Sequence, residues 1–200
     1  MSVLATLAMA SGMAWASGLR LYLLVFLAGL FQRTGLMSLP DSLMVLSHTW
    51  VVATAGTLAL IEFVADKVPA VDSVWDAVHT FVRIPAGAAL AAAALGTFHE
   101  PAYTVIAGLL GGTVAATSHF TKATSRAAIN TSPEPFSNVA VSLGEETMVG
   151  GTLLLLHAYP LVFLIVLGVV LLLSALLLRL MFKYLRRMLR ALFAGQLPAS

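Results

Sequence analysis

Seven titratable residues, Glu62, Asp66, Lys67, Asp72, Asp76, His79 and Arg83, stand between and within two strongly apolar runs. On a helix beginning near Val71, the residues Asp72, Asp76, His79 and Arg83 are spaced by four, three and four, which places them on one face. A polar stripe of this kind is costly against lipid, so it faces a protein interior or a water-filled cavity. The stretch therefore demands a bundle of helices around it and marks a candidate site.

The rest of the chain supplies the bundle. It is 60% hydrophobic and 10% charged, with a mean hydropathy of +0.95, where an ordinary soluble domain carries about 25% charged residues. The expectation is an all-α, polytopic membrane protein with about six transmembrane helices. Cysteine is absent, which excludes disulfides and thiol chemistry. The formal net charge is only +2, with basic residues gathered at the C-terminus, a pattern that sets membrane orientation rather than binding nucleic acid.

Taken in order, the first apolar run contains Ser17, Gly18 and Arg20 and reads either as one long helix or as two halves broken near Ser17-Gly18. Interrupted helices recur at membrane binding sites. After the connection at 32–43, capped by Asp41 or Ser42, a second helix runs from Leu43 to Ala65. The stripe opens the third helix, with Asp72 as its cap, ending near Phe98. His99, Glu100 and Pro101 form a turn. Residues 102–118 are a glycine-rich fourth span, 119–135 a polar loop holding His119, Lys122 and Arg126, and Phe136 to His157 a fifth span containing Glu145 and Glu146. A nearly aliphatic sixth span from Leu161 leads into an amphipathic interfacial helix whose Arg179, Lys183, Arg186, Arg187 and Arg190 suit anionic lipid headgroups. The domain reading is a transmembrane domain over 1–180 and a basic tail over 181–200.

An internal hairpin repeat, 43–98 against 102–157, is a further reading. A shift of 62 positions pairs Asp72 with Glu134, Asp76 with Asn138, Thr80 with Ser142 and Arg83 with Glu145. Glu145 or Glu146 needs a cationic partner inside an apolar span, and Arg83 is the natural candidate, with Arg20 able to close the same network. Counting Lys67, Lys122, Arg126 and the five tail cations on one side against Arg33 on the other gives eight to one, which places both termini in the cytoplasm of a cell with an inner membrane.

The segments ASGLRLYLLVFLAGL, ADKVPAVDSVWDAVHTFVRIPAGAAL and HFTKATSRAAINTSPEPFSN resemble the bacterial DUF4126 membrane proteins, across most of the chain. That resemblance implies a class, since the family name carries no activity. A looser likeness to cation exchangers with a repeated acidic motif rests on Glu62, Asp66 and Lys67 and is an analogy of pattern.

No zinc spacing, nucleophile elbow or Walker motif is present, so neither an enzyme nor a cofactor or metal site is expected. The expected function is a small transporter or channel-like protein for an ion or small solute. Its pathway would be lined by Arg20, Glu62, Asp66, Asp76, His79, Arg83, Asn138, Glu145 and Glu146. The alternative is a non-transporting membrane module that binds lipid or a partner protein. The expected partners are the bilayer, anionic headgroups and a second copy in a homo-oligomer.

Overall fold

The first apolar run becomes one long helix, α1 (Val3–Thr34), in the computed structural model, which describes residues 2–96, 101–130 and 135–194. The hydroxyl of Ser2 accepts from the Ala5 N–H at 3.2 Å and caps its start. Gly35, at φ 74°, ends it in the left-handed conformation that favours glycine. Apolar side chains ring α1 on all sides, the pattern of a helix buried all round. Accordingly it packs against every other element and supplies much of the core, including Met9, Met13, Ala14, Leu19, Leu24 and Ala28.

The connection folds as a short 3-10 helix, Asp41–Ser47, that buries Leu43 and Leu46. Extended backbone at His48 then turns the chain by 64° into α2 (Thr49–Ala65). The second helix thus begins six residues later than Leu43, and neither Asp41 nor Ser42 caps it: the Ser42 hydroxyl donates to the carbonyl of Ala93 instead.

Next is α3 (Pro69–Ala94), which opens with proline in its first turn, where the missing N–H is harmless. Because it starts before Val71, Asp72 lies inside the first turn rather than at the cap, and its carboxylate accepts from the Asn130 side chain at 2.9 Å. α4 (Pro101–Ile129) continues well past the expected end at Ser118, so the segment read as a polar loop is helical to Ile129. α5 (Pro135–Ala158) and α6 (Pro160–Ala194) meet at Tyr159. α6 is one uninterrupted helix of 35 residues, so the basic tail prolongs the last span instead of forming a separate interfacial helix.

Within α1, α3, α5 and α6 lie stretches long and apolar enough to cross a membrane, and the bent pair ahead of α3 makes a fifth if taken as one span. The expectation of six also counted α4, whose apolar character is diluted by glycine and threonine before its charged end. Large side chains such as Trp50, Phe81, Leu109 and Leu172 are exposed around the outside, as befits a lipid-facing surface. Together these helices mark a multi-pass membrane protein. His99, Glu100, Pro133 and Glu134 lie outside the described residues, and with them the turn read at 99–101 and one pair of the repeat.

Candidate functional site: a buried charge network

Three helices present one polar face each to the middle of α1. On α3 the buried face reads Asp72, Asp76, His79, Arg83, Gly87, Leu90. On α4 it reads Gly111, Ala115, Ser118, His119, Lys122, Arg126. On α5 it reads Asn138, Ser142, Glu145, Val149. The C-terminal turn of α2 adds Glu62 and Asp66. Small residues let these faces approach closely. A Cβ at Gly18 would lie 1.9 Å from the Ser118 Oγ and 2.3 Å from the Ala115 carbonyl, so α1 touches α4 backbone to backbone there.

At the point of convergence α1 leaves helical geometry: Arg20 has φ −147° and ψ 86°. A residue out of helical geometry interrupts the ladder between the carbonyls before it and the N–H groups after it. The carbonyl of Leu19, immediately before the break, accepts from the Lys122 ammonium at 3.1 Å. A cation at the carbonyl end of a helical segment is also favoured by the helix dipole. Upstream, the Ser17 hydroxyl donates to Ala14 at 2.8 Å and to the Arg83 carbonyl at 3.4 Å, tying the same turn to α3.

The side chains form one network. Arg20 pairs with Asp66, with Glu145 at 3.2 Å and with Glu146 at 3.6 Å, and donates to the Ser142 hydroxyl at 2.8 Å. Arg83 pairs with Glu62 and, at 2.6 Å, with Asp76. Arg126 pairs with Glu145 at 2.9 Å and Asp66 at 3.3 Å. Lys122 joins the two halves, reaching Glu145 at 3.4 Å, Asp76 at 3.5 Å and Asp66 at 3.8 Å. Apart from Glu146, which is 26% exposed, these side chains are at most 5% exposed.

Among the described residues, four buried cations of the network thus face four buried carboxylates, while a fifth buried carboxylate, Asp72, stands outside the network and accepts from Asn130. Each ion alone in a low-dielectric interior would cost several kcal/mol, and multiple partners offset that cost. The pairing is also redundant, because Asp66 and Glu145 each touch Arg20, Lys122 and Arg126. One oxygen in each of Glu62, Asp66 and Asp76 is buried without a hydrogen-bond partner among the described residues.

A family model described as a domain of unknown function (DUF4126) matches residues 7–180, spanning this whole network. The chain belongs to the DUF4126 family. No curated protein and no solved structure matches it. Within the DUF4126 match lie α2 to α5 and all the ion-paired residues, while Lys183, Arg186, Arg187 and Arg190 of the tail fall beyond it.

The DUF4126 network gathers Arg20, Glu62, Asp66, Asp76, Arg83, Glu145 and Glu146, seven of the nine residues read from sequence as a pathway. Asn138 is buried one turn before Ser142 on the same face. His79 stands at the edge: its ring stacks on Trp75 at 4.2 Å and bonds to the Tyr22 hydroxyl at 3.0 Å and the Trp75 carbonyl at 2.7 Å. The histidine beside Arg83 is His119, 3.4 Å from its guanidinium and 2.7 Å from the Thr80 hydroxyl. Arg83 does not meet Glu145 or Glu146; it takes Glu62 and Asp76, and Arg20 takes the glutamates instead.

Sequence reasoning placed Lys122 and Arg126 in a loop as orientation charges, yet both are buried on α4. A signal for them exists. Ala107, Gly111, Ala115, Ser118, Lys122 and Arg126 recur at four, four, three, four and four, a helical face running through the supposed loop. Among the described residues no three His, Asp or Glu side chains are placed to hold a metal ion.

Proposed function

We propose that this protein is a small membrane transporter or channel-like protein whose working site is the charge network around Arg20, moving an ion or a small solute. The observation that carries the reading is the departure of α1 from helical geometry inside that network. Discontinuous helices are where membrane transporters place substrate and coupling-ion sites. The redundancy of the pairing supports it as well. Asp66 and Glu145 can exchange one cation for another without any charge being left alone, so the network tolerates two arrangements. The oxygens of Glu62, Asp66 and Asp76 that have no hydrogen-bond partner among the described residues leave acceptors for a proton or for water. A groove of about 640 Å³ between α1 and α2 leads from Arg33 to Arg20 and Glu146, giving the partly exposed carboxylate contact with the outside of the bundle.

In this reading the protein sits in a cell's inner membrane with both termini cytoplasmic and performs no covalent chemistry. Without Lys122 and Arg126, Lys67 and the five tail cations still outnumber Arg33 by six to one. The tail cations, exposed along α6, bind anionic headgroups. In this reading the two hairpins are a repeat: Arg83 of α3 and Glu145 of α5 match at a shift of 62, and each holds a partner of opposite charge, Glu62 and Arg126.

A second reading has its own observation. Arg83 is completely buried and doubly paired, which also suits a rigid membrane module that binds lipid or a partner protein. Proteoliposomes loaded with proton-, cation- and anion-sensitive dyes separate the two. The transport reading expects at least one gradient to collapse faster with protein than without, and Glu146→Gln to slow that flux about tenfold or more while the protein still folds. Absence of flux for all three classes would favour the module.

A further inference from the structure

We infer that the groove between the second half of α1 and α2 seats one acyl chain of a phospholipid with an anionic headgroup, held at its mouth by Arg33 and Thr49. The inference does not depend on transport. The groove holds about 640 Å³ and is lined mainly by Leu23, Phe26, Val52, Gly56, Leu60 and Phe63. Arg33 and Thr49 stand at one end, Arg20 and Glu146 at the other. Arg33 lies thirteen positions after Arg20 along α1, about 20 Å of helix at ~1.5 Å per residue. Half of a hydrocarbon core is about 15 Å. The groove therefore runs the depth of one leaflet, from the connection at the end of α1 to the charge network.

The two ends differ in a way that fixes which end takes the headgroup. Arg20 is surrounded by Asp66, Glu145 and Glu146, so the inner end offers no spare cation and presents a carboxylate that repels an anion. Arg33 is exposed in the last turn of α1 and donates to the Thr49 hydroxyl at 3.2 Å, with no carboxylate in ion-pair range among the described residues. A guanidinium with free N–H groups at an interface is suited to the forked recognition of a phosphate. At its centre α2 lies close against α1, since a Cβ on Gly56 would already sit 3.0 Å from the Phe26 ring, which lines the groove. The site is separate from the cationic face of α6.

Native mass spectrometry of the full chain tests this in a background carrying Arg179→Gln, Lys183→Gln, Arg186→Gln, Arg187→Gln and Arg190→Gln, so that the tail does not retain lipid. The chain is offered equal amounts of phosphatidylglycerol and phosphatidylcholine with matched chains. The expected result is retention of phosphatidylglycerol over phosphatidylcholine by about fivefold, the effect of one cation near a surface, and loss of that preference in Arg33→Gln. Ala53→Phe, an exposed groove-lining position, should lower retention of both lipids with unchanged melting, and Thr57→Phe serves if Ala53→Phe does not fold. Equal retention of the two lipids before any groove substitution, or a preference that survives Arg33→Gln, overturns the inference.

Discussion

The Lys122 ammonium lies 3.1 Å from the carbonyl oxygen of Leu19, immediately before the residue at which α1 leaves helical geometry. The same ammonium is within 4 Å of three carboxylates, those of Asp66, Asp76 and Glu145. It is therefore both a donor to the backbone at the break and the link between the two halves of the network. Lys122→Met should leave three carboxylates short of a cation and one carbonyl without its donor. The expected cost is about 3–5 kcal/mol, the range for removing one member of a buried ion cluster, read as a lowered melting temperature in detergent. A melting temperature within a degree of the parent would show that the ammonium is dispensable.

Arg83 is held between Glu62 and Asp76. Arg83→Gln alone strands buried Glu62, leaves Asp76 with only Lys122 at 3.5 Å, and should cost about 3–5 kcal/mol. Glu62→Gln added to it should recover part of that loss, because fewer charges remain unpaired. The double-mutant cycle measures this coupling, and strictly additive losses would count against the pairing.

The close approach at Gly18 gives a prediction about packing. Gly18→Val places branched carbon against the Ala115 carbonyl and Ser118, which are backbone and short side chain and cannot swing away. Overpacking of this kind costs about 1–3 kcal/mol. Gly151→Val serves as the control, since nothing lies within 4 Å of its added carbon. Equal melting temperatures for the two variants would refute the contact.

Orientation is open to direct test because the chain has no cysteine. Single cysteines at Ser2, Ser38 and Ser200 can be probed with an impermeant thiol reagent. Protection of Ser2→Cys and Ser200→Cys in intact cells, with labelling of Ser38→Cys, is the expected pattern. Labelling of Ser200→Cys from outside would reverse the assignment.

The membrane class and most of the network were legible because a charge inside an apolar run has few options. Arg20, Asp76, Arg83 and Glu145 each had to face the bundle interior, and each does. The choice of partners was not legible. Helical periodicity fixes which face a residue occupies, but not the rotation and depth of the neighbouring helix, so Arg83 meets Glu62 across 21 positions rather than Glu145. Lys122 and Arg126 were hidden for a different reason. The prolines at 133 and 135 and the local polarity suggested a loop, while the four-and-three spacing of their face continued unbroken to Ile129. The start of α2 was misplaced because Leu43 and Leu46 are apolar enough to join a helix, and the turn at His48 carries no glycine or proline to announce it.

The network's spacing along the chain also sets an order of events during synthesis. Arg20 emerges 46 residues ahead of Asp66 and 125 ahead of Glu145. A guanidinium in an apolar segment with no counter-ion is poorly tolerated by lipid. The first helix is therefore expected to be held in the bilayer firmly only once its carboxylates have been made. Nascent chains truncated before α5 should extract from membranes more readily than full-length chains, the outcome expected of a protein that settles as an assembled bundle rather than helix by helix.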